Sequence, residues 1–209
     1  MTQTDPRSRP ETNTARARPA APQQARARAT RARLLDASRV ALAEGGAAAL
    51  KIEEITRTAG VAKGTFFAHF EDRDGLLDVL IGEKLGAEID KIAALKGGLD
   101  PDDLAEALTP VVDLLASERA VFEVVLRRSG AGLHDQEGPI AQALWRMITT
   151  LADSFACRPP RTDADPMTLA EGVQAFVTQT AALILCGAAR GQTPSERLRV
   201  FLRAWLAPR

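Results

Sequence analysis

The sequence has little of what several classes of protein require. It contains two cysteines, Cys157 and Cys186, and two histidines in 209 residues, which excludes a disulfide-stapled secreted scaffold and a Cys/His zinc module. Tyrosine is absent and aromatic residues make up 4%, a composition that disfavours β-sheets. The formal net charge is zero, so the whole chain is neither a basic nucleic-acid coat nor an acidic tail protein. We expect both cysteines to be small buried hydrophobes in a reducing compartment.

Charge is divided unevenly along the chain. Residues 1–73 contain 13 Lys/Arg and 8 Asp/Glu, whereas residues 74–209 contain 14 and 19. A basic N-terminal third indicates a polyanionic partner for that part only. Residues 1–25 are rich in Pro, Ala, Thr and Arg without an apolar run, so we predict a disordered tail. The arginines of this region and the residues after it are Arg7, Arg9, Arg16, Arg18, Arg26, Arg28, Arg31 and Arg33.

Three interpretations of this arginine-rich start remain open. It lacks the apolar segment of ~7–15 residues that a secretory signal requires. An organelle transit peptide is also rich in arginine and poor in acidic residues, but it needs an amphipathic stripe that the tail does not have. The arginines could instead follow the phosphates of DNA, or the tail could be a solvated segment that binds nothing.

Helix signals recur through the rest of the sequence. Alanine, the best helix former, occupies 38 positions, and helical periodicity begins at about residue 26. Asp72 is predicted to cap a fourth helix that ends near residue 95. A capping residue followed by proline, which marks a helix start, repeats at Asp100, Gly138, Asp165 and Thr193. We therefore predict an all-α protein with about nine helices and no strands.

The helix that starts at Asp165 is predicted to continue to about residue 190. Residues 172–189 carry no charge, which approaches the ~18 residues of a membrane span. Glutamines and threonines within the stretch lower its hydropathy, so we predict a helix buried on two sides and no membrane partner.

Residues 50–70, LKIEEITRTAGVAKGTFFAHF, have the pattern of a helix-turn-helix. Two short helices are joined by a turn at Gly60, which supplies a positive φ. The second helix would present Lys63, Thr65 and its neighbours to a major groove, while Phe66 and Phe70 are predicted to be core. The same helical corner occurs in bundles that bind nothing, so spacing alone leaves DNA binding open.

The sequence segments in and around the motif resemble those of a known protein family. LLDASRVALAEGG precedes it, GVAKGTFFAHF forms its second half, and EDRDGLLDVL follows. Over residues 34–81 the sequence resembles the N-terminal domain of the tetracycline-repressor-like (TetR) transcription regulators. The resemblance implies a DNA-binding domain over residues 26–73, with its motif at 50–69, and a C-terminal ligand-binding and dimerisation domain over 74–209. It implies a cytoplasmic homodimeric repressor, released from a palindromic operator by a small-molecule effector.

The resemblance also assigns candidate DNA contacts. The matching positions are Lys51, Ala62, Lys63, Gly64, Thr65, Phe67, His69 and Arg73. For two of them a plainer interpretation stays open, with His69 packing at the end of a short helix and Lys63 simply solvated.

At three of these positions the sequence departs from the family pattern. A hydroxyl residue usually stands where Lys51 does and serine or threonine where Ala62 does, so two helix caps worth about 1 kcal/mol each are missing. Tyrosine usually stands where Phe67 does. These departures motivate an alternative function, a helical small-molecule-binding protein whose DNA-binding domain is vestigial.

The C-terminal sequence predicts an effector cavity between helices. Its candidate wall residues are Phe122, Leu126, Trp145, Ile148, Phe176 and Thr180. Arg127, Arg128 and Arg146 favour an anionic effector, although ion pairing explains them equally well. No catalytic motif is present, and we expect no enzyme activity, no cofactor and no metal.

The last two helices are the most apolar of the chain. We predict that they form a two-fold dimer interface containing Phe201 and Trp205, because a monomer would leave this face exposed.

Overall fold

A computed structural model describes residues 21–95, 100–130, 138–189 and 191–208. Within these ranges the chain forms nine α-helices and one short 3₁₀ helix and no strand, as predicted. The helices are α1 (Ala21–Gly45), α2 (Ile52–Thr58), α3 (Lys63–Phe70), α4 (Arg73–Ala93), α5 (Pro101–Ala116), α6 (Arg119–Gly130), α7 (Pro139–Cys157), α8 (Pro166–Leu185) and α9 (Pro194–Leu206), and the 3₁₀ helix is Ala47–Ala49.

The predicted helix caps are confirmed. The carboxylates of Asp72, Asp100 and Asp165 each accept a hydrogen bond from a backbone N–H in the first turn of α4, α5 and α8. Thr193 and Glu196 form a reciprocal capping box at the start of α9. These local contacts satisfy N–H groups that have no partner inside the helix.

Two predicted boundaries are corrected. Helix α1 begins at Ala21, inside the segment assigned to the tail, because alanine, glutamine and arginine sustain a helix and Pro22 is tolerated in a first turn. The remainder of that tail, residues 1–20, lies outside the described residues. Helix α8 ends at Leu185 rather than near residue 190. Gly187 has a φ of 68° there, and the N–H of Ala188 closes the end by donating to the carbonyl of Leu183 at 2.8 Å.

The N-terminal helices α1, α2 and α3 pack around a small apolar core. Leu34, Ile55 and Phe66 are at most 2% exposed, and their three helices each contribute one stripe to it. The larger C-terminal part buries the apolar sides of its helices in the same way. There α7 packs between α4 and α8, and α5 packs against α8 and α9. Helix α4 contributes to both parts, so it fixes the helix-turn-helix to the C-terminal helices.

Helix α4 and the first turn of α7 approach each other closely. Gly82 leaves room for Pro139 and Ile140, since an added Cβ would lie 2.4 Å from the Cβ of Pro139. One turn earlier, the buried carboxylate of Asp78 accepts a hydrogen bond from the N–H of Ile140 at 2.9 Å. Asp78 thus caps α7, whose own N-cap residue Gly138 has no side chain to do so. Burial raises the pKa of Asp78, an effect that the Ile140 N–H and Arg128 oppose.

One prediction about the C-terminal part is wrong. Cys157 and Cys186 are both exposed, because each lies at a helix end where the apolar stripe has stopped. Among the described residues, no helix has the length and apolarity needed to cross a membrane.

Candidate DNA-binding surface and C-terminal cavities

The turn between α2 and α3 has the predicted helix-turn-helix geometry. Gly60 adopts a φ of 65°, and the N–H of Val61 donates to the carbonyl of Thr56 at 3.0 Å, which closes α2. Val61 is half-buried and packs on the core between the two helices. The angle between α2 and α3 is therefore set by one positive-φ residue and one apolar plug.

Helix α3 has one buried and one exposed side. Phe66 and Phe70 are 0% and 4% exposed, as predicted, and their ring centroids lie 5.4 Å apart. The opposite side presents Phe67, which is 45% exposed. Lys63, Gly64 and Ala68 are also exposed, whereas Thr65 and His69 are half-buried. The buried phenylalanines anchor α3 so that the exposed side is available to a partner.

The missing caps are confirmed. Lys51 and Ala62 occupy the N-cap positions of α2 and α3, and neither side chain caps its helix. Both residues have extended backbone angles, with φ and ψ of −70° and 148° at Ala62. A serine would cap a helix from that conformation without rearrangement.

Replacing Ala62 by serine is therefore expected to stabilise the protein by about 1 kcal/mol, because the hydroxyl would accept a free N–H in the first turn of α3. Urea unfolding followed by circular dichroism at 222 nm would measure this. Ala68→Ser is the matched control: it places the same side chain on the exposed side of α3 with no cap to form, and should destabilise slightly. Equal effects of the two substitutions would contradict the capping explanation.

The cationic candidates in this region have partners within the chain. The ammonium of Lys63 is ion-paired with Glu53 of α2, so it is not simply solvated, and this hydrogen bond lowers the pKa of Glu53. Lys51 lies 3.3 Å from Glu54. Arg73 donates to the carbonyl oxygen of Ala47. A phosphate that reached these groups would have to replace carboxylates or a carbonyl as the acceptor.

Glu118, which sequence reasoning missed, joins the two parts of the molecule. It precedes α6, and its two carboxylate oxygens lie 2.9 and 3.0 Å from the N–H of Ala47, which is fully buried. Gly46 adopts a φ of 64°, and the Glu118 carboxylate occupies the space that a Cβ on Gly46 would take. The only feature of the sequence that could have indicated this contact was the glycine pair at 45–46. The end of a helix is enough to explain that pair.

The predicted cavity wall is not assembled as expected. Leu126 and Trp145 are 45% and 38% exposed, so neither lines an enclosed cavity. Phe176 stacks on Phe201 of α9 at 5.0 Å. Phe122 and Ile148 are half-buried, and Thr180 is fully buried with its hydroxyl unpaired among the described residues. Helical periodicity identified the apolar side of each helix, but it could not show which helices pack against one another.

Three surface cavities of about 300, 440 and 540 Å³ occur in the described C-terminal part. The first lies between α4 and α7, the second between the ends of α5 and α8 and the start of α9, and the third beside the last turn of α9. None of these three is lined by the six predicted wall residues. Their lining residues include Gly82, Gln142 and Arg146; Asp113, Ile184 and Pro194; and Pro101, Pro160 and Leu206, respectively.

The three arginines considered for an anionic effector are ion-paired. Arg127 lies 2.7 Å from Asp74, Arg128 lies 4.0 Å from Asp78, and Arg146 lies 2.9 Å from Asp90. All three carboxylates belong to α4. The arginines therefore tie α6 and α7 to α4, which favours the ion-pairing interpretation. Among the residues with described positions, no cluster of three potential metal ligands is found.

The proposed dimer residues are already partly covered within one chain. Phe201 is half-buried by its stacking on Phe176, and the indole N–H of Trp205 donates to the carbonyl of Leu169 at 3.1 Å. A single chain leaves this face partly rather than wholly exposed, because α8 and α9 pack against each other. Both rings nevertheless keep part of their surface in solvent.

The comparison with known proteins identifies the N-terminal segment. Residues 34–80 match the model of the family described as bacterial regulatory proteins, tetR family. No protein of curated function has a matching sequence.

Solved structures share the fold along most of the chain. The transcriptional repressor FadR of Thermus thermophilus, in complex with lauroyl-CoA, is 16% identical with a TM-score of 0.62, over 84% of this chain and 93% of that chain. The fatty acid degradation regulator FadR of Bacillus halodurans is 18% identical, with a TM-score of 0.54 and the same coverage of 84% and 93%. A TetR-like regulator from Rhodococcus sp. RHA1 is 17% identical, with a TM-score of 0.51 over 84% and 94%.

At these identities the likeness of the structures establishes the fold, and the match at residues 34–80 establishes the helix-turn-helix segment. The predicted resemblance is confirmed over residues 34–80, which match the tetR family of bacterial regulatory proteins, and the fold of the described chain is similar to that of TetR-family regulators.

Proposed function

We propose that the protein is a repressor that binds a palindromic operator through the exposed side of α3. The observation that carries this proposal is the division of α3, whose phenylalanines are buried while Lys63, Gly64 and Phe67 face solvent. A short helix held in this way can enter a major groove. Lys51, Ala62, Thr65, His69 and Arg73 are proposed to border the same contact, with Arg73 at the start of α4 facing phosphate.

The proposed repressor is a cytoplasmic homodimer without catalytic activity, paired through α8 and α9. The part-exposed rings of Phe201 and Trp205 on these helices support this interface. A two-fold dimer would place two copies of α3 about 34 Å apart, in successive major grooves.

A small, largely apolar effector is proposed to bind among the C-terminal helices and lower operator affinity. The buried hydroxyl of Thr180, which has no hydrogen-bond partner among the residues that the structure describes, supports a polar contact there. The repressor FadR of Thermus thermophilus, which has a similar fold, is in complex with lauroyl-CoA. Helix α4 joins both parts, so an effector that favours one position of α4 would change the spacing of the two α3 helices.

A second candidate function is a small-molecule-binding protein with a vestigial DNA-binding domain. The uncapped starts of α2 and α3 and the pairing of Lys63 with Glu53 favour it. Both features weaken the surface that would meet DNA.

Gly64→Ala distinguishes the two candidates. Beyond the backbone of α3 itself, no atom of the described residues lies within 4 Å of the position that a Cβ on Gly64 would take. Alanine therefore fits the free protein and should stabilise α3 by about 0.5 kcal/mol. If α3 enters a groove, the added methyl group would meet DNA, and we expect at least about a tenfold loss of operator affinity, equivalent to ~1.4 kcal/mol.

The measurement uses fluorescence anisotropy with labelled fragments of the DNA upstream of the protein's own gene, in about 150 mM salt to suppress nonspecific attraction. Gly86→Ala, in the middle of α4, is the remote control. Selective binding by the wild type that Gly64→Ala weakens supports the repressor. Absence of selective binding to any genomic fragment would favour the vestigial domain.

A further inference from the structure

The first three turns of α1 extend beyond the core of the N-terminal part. Leu34 is the first fully buried residue of α1, whereas residues 23–29 are all exposed. The extension over residues 21–33 would span about 18 Å at the usual rise of a helix. Among residues 23–33, whose side chains are described, none is buried by another helix.

The extension lies beside the end of α3. The other end of α1, at Gly45, leads into Ala47, which Glu118 holds against the C-terminal helices. The start of α1 therefore points away from those helices. The guanidinium of Arg31 lies 4.9 Å from the ring centroid of Phe70, the last residue of α3.

The charge of this extension is unbalanced. No acidic residue occurs between positions 12 and 35. Arg26 and Arg28 are exposed, and neither has a hydrogen-bond or ion-pair partner among the described residues. A helix that is polar on all sides gains little from packing, and a segment of this length is marginal as an isolated helix. An anionic surface alongside would supply both the counter-charge and the missing support.

We propose that the start of α1 is a second DNA-contacting element, in which Arg26 and Arg28 bind phosphates that flank the groove occupied by α3. The inference rests on the proposed function, and it assigns to α1 a contact with the backbone rather than with bases. The contact therefore adds affinity without sequence selectivity.

The test compares Arg26→Ala/Arg28→Ala with the wild type on two duplexes, the operator fragment and a scrambled sequence of equal length, from about 50 to 300 mM salt. Alanine preserves the helix. We expect affinity to fall about tenfold on both duplexes and the slope of log K against log salt to decrease by about 2, or ~0.9 per phosphate contact. Arg26→Lys/Arg28→Lys should keep most of the slope.

Lys84→Ala/Arg158→Ala is the matched control, since it removes two exposed positive charges from α4 and from the end of α7. Its slope should stay close to that of the wild type. If the α1 variant keeps the wild-type slope, or if the control loses as much, the extension is a solvated helix and the proposal fails. Failure of the proposed repressor function would appear separately, as equal wild-type affinity for the operator and the scrambled duplex.

Discussion

Gly82→Ala is expected to lower the free energy of unfolding by about 3 kcal/mol, the upper range for overpacking. A Cβ at this position would lie 2.4 Å from the Cβ of Pro139, 2.5 Å from its carbonyl carbon and 2.8 Å from the nitrogen of Ile140. Two of these atoms are backbone and the third belongs to a rigid ring, so none can move alone. The first turn of α7 would have to shift, which would also stretch the hydrogen bond from Ile140 to Asp78.

Gly86→Ala is a close control, one turn further along α4. Its added Cβ would meet only the end of the flexible Arg146 side chain, at 3.1 Å. We expect a neutral or slightly stabilising effect, since alanine favours a helix by about 0.5–1 kcal/mol over glycine. Urea unfolding followed by the fluorescence of Trp145 and Trp205 reports on this part of the molecule. Equal stability of the two variants would show that α4 and α7 have room to separate at Gly82.

Gly82 also illustrates what the sequence alone could and could not predict. The helix starts at Asp72, Asp100, Asp165 and Thr193 were predicted correctly because a cap acts within four residues of itself. The turn at Gly60 was likewise a local signal. The close approach of Gly82 to Pro139 brings together residues far apart in the chain, and the periodicity of neither helix predicts it.

The candidate sites show the same limit. Phe66 and Phe70 were correctly predicted to be core, because the spacing within α3 places them on one side. The pairing of Lys63 with Glu53 was not predicted, since it depends on the angle between α2 and α3. The cavity residues Leu126 and Trp145 were assigned from apolar character, but they are exposed because nothing in the described chain covers their faces. Local pattern determines which side of a helix is apolar, while the neighbour that covers it depends on tertiary packing.

Glu118→Ala is expected to have the second large effect, a loss of about 2 kcal/mol in the free energy of unfolding. The substitution leaves the N–H of the fully buried Ala47 without its carboxylate acceptor, and hydrogen bonds to charged groups are worth about 1.5–3 kcal/mol. Arg73 holds the carbonyl oxygen of the same residue. Ala47 is thus fixed on one side by the residue before α6 and on the other by the start of α4.

Because Glu118 connects the helix-turn-helix to α6, its loss should affect DNA binding as well as stability. In the proposed dimer, weakening this contact would let each α3 rotate relative to the C-terminal helices, and we expect about a tenfold weaker operator affinity, with the nonspecific affinity unchanged. Glu118→Gln keeps one oxygen acceptor and should recover part of both losses. Glu123→Ala, which removes an exposed carboxylate from α6, is the control. A Glu118→Ala protein that loses stability but keeps wild-type operator affinity would restrict Glu118 to holding the fold, and the effector signal would then have to travel through α4 alone.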